Sequence, residues 1–445
     1  MNVHAYCAVV VMVIFGANGQ LDTNRNEEQR KSYTGYKLLE VIPHTRMHLS
    51  KLRQLMDQDR IELDFWKEPS HVGRSVDVMV SSTVFRRLTH YLKKHGMVYK
   101  IQNHNVQSLL QNANSRSRRS VNSLETDFYG DIYMYEYHTY SEIQQLLNSI
   151  ETTYPLLCKT MVIGKSFEKR DLRLMKISTG KGLNGTAKPS VWIDGGIHAR
   201  EWIAPATAIN IIHLLIRGYV TNDTVVLKML NDFDWYILPI SNPDGYVYTW
   251  TTDRMWRKTR SINGIYSCRG VDGNRNFDFH WRETGTSYNT CAGTYGGPEA
   301  FSEPETRAIA DFVLKNNKSI KLFLQLHSYG QYWLTPWGYT AWTVPRDHAD
   351  LLYLARLGRN TIRSKYTSHY LVGTAARMLY PASGGTDDWV YSVAGIKYAY
   401  TIELRDIGRY KFALPADYIQ PTSEEIFEGI KTVTKHLKIE LDLKL

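Results

Sequence analysis

Residues 191–205 read VWIDGGIHAREWIAP, and the order of residue types in them decides the fold. Val, Trp and Ile form a β-rich run, two glycines stop it, and an apolar run at helical spacing starts at Ala204. His198 and Glu201 stand three residues apart at that junction, two metal-capable side chains at the mouth of a strand. KPSVWIDGG (188–196) shares its composition with FDWYILPI (233–240), IKLFLQLHS (320–328) and KYAYTIEL (397–404), and each reads as a strand buried on both sides. Residues 204–219, 302–316, 350–366 and 423–438 have helical periodicity. Strands without a polar face that alternate with helices predict an α/β domain with a central, largely parallel sheet between helix layers.

In open sheets of this kind, sites form at the carboxyl ends of strands. His198 and Glu201 follow one strand, His327 ends a second, and Glu403 ends a third. Two histidines and a glutamate are the protein ligands of a hydrolytic zinc site, which keeps a fourth position open for water. Such a site still needs a proton acceptor, and Glu403 is the spare carboxylate for general base and then acid. The same residues have plainer readings. Most of the 15 histidines are expected at the surface or in satisfied core positions, and Glu403 can pair with Arg405 or Lys397.

Working outward, the chain divides at QNANSRSRRSVNS (111–123), a polar stretch without apolar periodicity that holds Arg116, Arg118 and Arg119. It reads as a loop open to proteolysis, with cleavage at Arg119 as an activation event; a plain interdomain linker is the other reading. Before it, residues 34–110 alternate as β-α-β-β-α-β, which predicts a small α+β open sandwich. The first 19 residues carry no Lys, Arg, Asp or Glu, and their apolar run from Ala5 to Phe15 fits a signal peptide. No other apolar stretch reads as a membrane span. The expected division is therefore 1–19 signal peptide, 20–119 activation propeptide and 120–445 catalytic domain, in a secreted, extracellular protein.

Charge separates the parts. Residues 20–119 hold 18 Lys+Arg against 10 Asp+Glu, whereas 120–445 hold 36 against 34, so the larger part does not have the charge of a nucleic-acid binder. The basic excess of the first part reads as a solvated surface, or as a patch for heparin-like polymers. Of the four cysteines, Cys7 lies in the signal segment, and Cys268 and Cys291, 23 apart in a Gly- and Asn-rich stretch, suit a disulfide. Cys158 is left as a buried free thiol. Sequons at Asn184, Asn222 and Asn317 are compatible with secretion.

From about residue 127 to 440 the sequence closely resembles the zinc metallocarboxypeptidases of the pancreatic A/B type. GIHAREW, RMWRKTRS, CRGVDGNRNFDFHW, FSEPET, LHSYGQ, LYPASGGTDDW and ELRDIGRYKFALP carry the resemblance, and residues 20–119, including DFWKEP, look like the family's propeptide. The resemblance implies a mixed eight-stranded sheet flanked by helices and one Zn2+ per chain, bound by His198, Glu201 and His327, with Glu403 as general base. It implies that Asn274, Arg275 and Tyr380 hold the substrate's C-terminal carboxylate, and that Arg257 stabilises the oxyanion. Arg200 would contact upstream substrate residues, with Ser328 and Tyr329 also in the substrate-binding set. A guanidinium suits the carboxylate task because its planar fork matches a carboxylate bidentately. Cys268 and Cys291 occupy the family's disulfide positions.

Asp387 matches the family's pocket-floor position, where an acid goes with Lys or Arg at the substrate C-terminus and an aliphatic residue with apolar C-termini. A B-type enzyme follows; an A-type enzyme is the alternative, and Gly338 is the position that resembles the A-type more. The implied partners are peptide or protein C-termini and an activating trypsin-like or dibasic-specific protease, with no nucleic acid, no membrane and a monomeric state. An inactive relative is disfavoured because the zinc, base and carboxylate-binding residues occur together.

Overall fold

The computed structural model describes residues 30–58, 63–114, 128–129, 132–181, 185, 187–264 and 268–443. The signal segment, Arg116, Arg118, Arg119 and Asn184 lie outside the described residues. The first part folds as expected. Strands β1 (Lys37–Val41), β2 (Leu63–Lys67), β3 (Val76–Val80) and β4 (Tyr99–Asn103) form an antiparallel sheet in the order β2-β3-β1-β4. Helices Arg46–Gln58 and Ser82–Lys94 complete the β-α-β-β-α-β order. A further helix, Val106–Asn114, runs into the stretch read from sequence as loop. Its Val106, Leu110 and Ala113 are buried with Met255, Phe412 and Ala413 of the larger part, so tertiary packing supplies the order that its polar composition hides.

After a short hairpin, β5 (Phe128–Tyr129) and β6 (Ile132–Tyr133), the chain builds the large sheet. Its strands are β7 (Cys158–Lys165), β8 (Asp171–Ile177), β9 (Ser190–Gly195), β10 (Asp234–Leu238), β11 (Ile320–His327), β12 (Tyr332–Thr335), β13 (Leu371–Thr374) and β14 (Tyr398–Glu403). The order is β13-β12-β14-β11-β9-β10-β8-β7, with β14, β11, β9 and β10 mutually parallel and the outer pairs mixed in direction. The four parallel strands are the four β-rich runs read from sequence.

Alternate residues of these strands enter two cores. Val191, Ile193, Leu324 and Tyr400 pack against helices Tyr140–Thr153, Ile203–Val220, His348–Lys365 and Ile419–Asp442. Trp192, Phe323 and Ala399 pack with residues of helix Pro304–Asn316 and with Trp389 on the other face. This double burial removes any polar face from the strands. Helix Ile203–Val220 is long and apolar enough to cross a membrane, which corrects the reading that no other apolar stretch is long enough for a span; 83% of it is buried inside the protein.

Candidate active site

The junction at residues 195–203 is made by its glycines. Gly196 takes φ +72, and a Cβ there would stand 2.9 Å from Pro205 Cγ. A Cβ on Gly195 would stand 2.9 Å from the Ala204 backbone. Only residues without a side chain let the helix start directly beneath the strand end, and the turn between them carries His198 and Glu201. β11 runs parallel to β9 on one side and to β14 on the other, and its register sets His327 opposite Glu403.

His198 Nδ1 lies 2.8 Å from Glu201 Oε1, and His327 Nδ1 lies 3.1 Å from both Glu201 Oε2 and His198 Nδ1. The outer nitrogens have committed partners. His198 Nε2 is 3.0 Å from Asp272 Oδ1, and His327 Nε2 is 3.0 Å from Gln325 Oε1. Gln325 Nε2 donates to Asp194 Oδ2 and Thr386 Oγ1, which orients its carbonyl oxygen toward the imidazole. A proton on each Nε2 leaves two Nδ1 lone pairs facing one another beside a carboxylate. Only a cation satisfies that arrangement, and two imidazoles with one carboxylate are a zinc donor set. The three ligand atoms lie within 4.8 Å of one another, and all three residues are buried.

Burial opposes ionisation of Glu201, but His198 and His327 overcome it and hold the carboxyl below the usual range. Asp272 is likewise held well below that range, against its burial, by Arg257, His198 and Arg275. Its Oδ2 accepts from Arg257 Nε and Nη2 at 3.2 and 2.9 Å. One carboxylate therefore orients both a metal-capable imidazole and the guanidinium beside it. Sequence reading missed Asp272 and Gln325. The signals were present: Asp272 directly precedes GNRN, and Gln325 stands two residues before His327 on the same strand face.

Glu403 lies in the wall of the same cavity, and its Oε2 is sealed from solvent with no hydrogen-bond partner among the described residues. Burial pushes its carboxyl up to about 8. Neither Arg405 nor Lys397 is its partner: the first pairs with Glu425, the second with Asp350 and Glu440. The alternative of a structural ion pair is thereby set aside, because both cations are satisfied elsewhere.

A cavity of about 420 Å³ joins these residues to Arg257, Asn274, Arg275, Tyr380 and Asp387. Arg275 Nη2 donates to Tyr380 Oη at 3.2 Å. Asn274 Oδ1 accepts from Thr386 N and Oγ1, which fixes the amide. Ser328 N donates to Glu201 Oε2 at 3.1 Å, so Ser328 serves the triad through its backbone. Asp387 and Asp388 are adjacent but not equivalent. Asp388 accepts from Gly338 N and Tyr339 N, whereas Asp387, 4% exposed, has an Oδ2 without a partner among the described residues. A solvated loop position or a helix cap is thus excluded for Asp387, which sits inside the first turn of helix Thr386–Ser392, after the N-cap Gly385.

The small sheet covers this cavity. Phe65, Trp66, Glu68 and Asp77 line it, and Arg200 Nη1 donates to Asp64 at 2.7 and 2.8 Å. Tyr329 Oη donates to Asp77 at 2.9 Å, and Lys411 pairs with the same carboxylate. Away from the site, Cys268 and Cys291 form a disulfide with Cα atoms 5.0 Å apart. Cys158 is a buried free thiol.

A metal-capable triad at strand ends, an adjoining acid and a guanidinium-lined cavity together define a metal-dependent hydrolase. The chain belongs to the zinc carboxypeptidase family, which its residues 143–429 match, and residues 39–113 match the carboxypeptidase activation peptide. It is similar to carboxypeptidase B of Astacus astacus, 46% identical over 68% of this chain and 97% of that one. It is also similar to carboxypeptidase A2 of Rattus norvegicus, 38% identical over 92% of this chain and 95% of that one. Among solved structures, thrombin-activatable fibrinolysis inhibitor matches with TM-score 0.80 and 32% identity over 90% of this chain and 98% of that one. The chain is accordingly a zinc-dependent exopeptidase with an activation peptide, acting on peptide C-termini.

Proposed function

We propose that the protein is a secreted B-type carboxypeptidase, made as a monomeric zymogen, that releases C-terminal Lys or Arg. In this reading the first 19 residues direct secretion, residues 20–119 are the activation peptide, and a trypsin-like or dibasic-specific protease cuts at Arg119. His198, Glu201 and His327 hold the zinc. When bound, the metal supplies Lewis-acid polarisation of the scissile carbonyl and acidification of the attacking water. Glu403, next to His327, takes the proton from that water and passes it to the leaving amine. Arg257, oriented by Asp272, donates to the oxyanion. Arg275, Asn274 and Tyr380 bind the terminal carboxylate, while Arg200, Ser328 and Tyr329 bind the chain upstream.

The observation that carries the B-type reading is the buried Oδ2 of Asp387, which has no partner among the described residues. A buried carboxylate is costly until an ammonium or guanidinium pairs with it, and an apolar side chain would leave the cost in place. The test is kcat/KM on matched peptides ending in Arg, Lys, Phe and Leu, for the wild type and Asp387→Ile. The expected result is a wild-type preference for Arg and Lys, and a fall in the Arg-over-Phe ratio on the order of 10²-fold in the variant. Equal wild-type values for Arg and Phe would exclude the B-type assignment.

A further inference from the structure

We propose that Lys411 is a specificity-determining residue of the processed enzyme. Its ammonium binds an acidic side chain of the peptide upstream of the scissile bond, at a place that Asp77 of the activation peptide fills beforehand. This rests on the peptidase reading above. Lys411 is 3% exposed while the small sheet is in place, and its Nζ pairs with Asp77 of β3. A lysine is rarely buried without a partner, because its ammonium loses its hydration. Here the partner belongs to the part of the chain that activation removes.

The ammonium has no replacement on its own loop. Asp406, the acid nearest in sequence, is committed to backbone: Oδ1 accepts from Gly408 N at 2.9 Å and Lys411 N at 3.0 Å, and Oδ2 accepts from Tyr410 N at 2.6 Å. Those bonds pin the loop from within the catalytic domain. The backbone that carries Lys411 is therefore held without the activation peptide. Glu40 and Lys67, the residues opposite Asp77 in the strand registers, depart with it.

Lys411 does not act alone on that rim. The guanidinium of Arg200 lies 4.2 Å from the ring centre of Phe412, the residue after Lys411, and binds the second activation-peptide acid, Asp64. Tyr329, two residues beyond His327, shares Asp77 with Lys411 and packs on Phe412 with ring centres 5.0 Å apart. Two acids of the small sheet thus cover two cations, Arg200 over the Phe412 ring and Lys411 over the Tyr329 ring, and Lys411, Phe412 and Tyr329 line the cavity that holds the metal-capable triad. Arg275, Tyr380 and Asp387 form the other part of the cavity, which the reading above gives to the terminal residue. Lys411 then faces the chain leading up to the scissile bond, and the chemistry that fits it is Asp or Glu a few residues before the terminal Lys or Arg.

The experiment uses the zinc-loaded full chain after limited trypsin digestion, with peptides ending in Arg that carry Glu, Gln or Lys at successive upstream positions. At one position kcat/KM for Glu is expected to exceed that for Gln on the order of tenfold at low salt. That ratio falls to about one in Lys411→Met, stays in Lys411→Arg, and inverts toward the Lys peptide in Lys411→Glu. Equal wild-type values for Glu and Gln at every position, or an unchanged ratio in Lys411→Met, would overturn the proposal. Equilibrium binding of the same peptides to the digested Glu403→Gln chain reads the preference without turnover. Failure to cleave any peptide then counts against the hydrolytic reading alone, and equal affinity for Glu and Gln peptides counts against Lys411.

Discussion

Glu403 differs from the metal-capable triad in having no partner for Oε2 among the described residues, while its neighbour His327 is engaged at both ring nitrogens. Its proposed work is proton transfer, and replacing it should leave metal binding intact. Glu403→Gln is expected to retain stoichiometric zinc by metal analysis while kcat falls roughly 10²–10⁴-fold. Loss of zinc equal to that of His198→Ala would assign Glu403 to the ligand set instead. Asp272 should behave the other way: Asp272→Ala frees the His198 tautomer and weakens zinc roughly 10–100-fold in competition with a chelator. The four residues His198, Glu201, His327 and Glu403 were legible because each sits at the end of a β-rich run. Asp272 had only its place before GNRN to mark it, since it lies in a loop and its importance comes from two partners, one 74 residues away in sequence and the other 15. The difference between Asp387 and Asp388 was also closed to the sequence without the resemblance. It arises from the Gly338–Tyr339 backbone, which satisfies one acid and not its neighbour.

Among the elements, β9, β10, β11 and β14 were readable because burial on both faces makes a strand uniformly apolar. The outer strands were not read from the pattern. β7 exposes Met161 and Val162 yet buries Cys158, and β12 and β13 are four residues each, too short to show a period. Eight strands were expected only through the resemblance. Helix Pro304–Asn316 covers this outer region: a Cβ on Gly164 of β7 would lie 2.5 Å from Ala308 Cβ. The first turn of that helix buries Glu305, whose Oε1 accepts from Phe167 N at 3.0 Å and whose Oε2 has no partner among the described residues. Burial, reinforced by Glu303, pushes its carboxyl up to about 8. A carboxyl raised on folding favours the folded state below the unfolded value near 4.5, and that contribution is lost as pH rises to about 8. Glu305→Gln is therefore expected to flatten the fall in Tm between about pH 5 and pH 8. An unchanged slope in thermal melts would show that Glu305 ionises freely in the folded protein.

At the scale of the whole molecule, the contacts that hold the small sheet to the catalytic domain include two kinds that respond differently to salt. Ion pairs join Asp64 to Arg200, Asp77 to Lys411 and Lys31 to Asp253. An apolar cluster joins Tyr33, Trp66, Met79 and Leu110 to Met255, Phe412 and Ala413. All the residues named here lie outside 115–127, so a cut at Arg119 leaves these contacts in place. Cleavage and activation should consequently be separate events. The uncut chain is expected to hydrolyse large peptides at least 100-fold more slowly than the fully processed enzyme, because substrate must enter the cavity that Phe65, Trp66 and Glu68 line. After cleavage, activity should lag behind the appearance of the cut chain while the small sheet dissociates. Raising salt from about 0.05 to about 1 M shortens the Debye length to about 3 Å and screens mainly the exposed Lys31–Asp253 pair, much less the buried Asp64–Arg200 and Asp77–Lys411 pairs, so the lag should shorten only slightly. The apolar cluster does not weaken with salt, so the lag should persist in part. Following the cut by gel and the activity by continuous assay separates the two. Activity that rises in step with cleavage at both salt concentrations would mean that the tether alone holds the small sheet over the site.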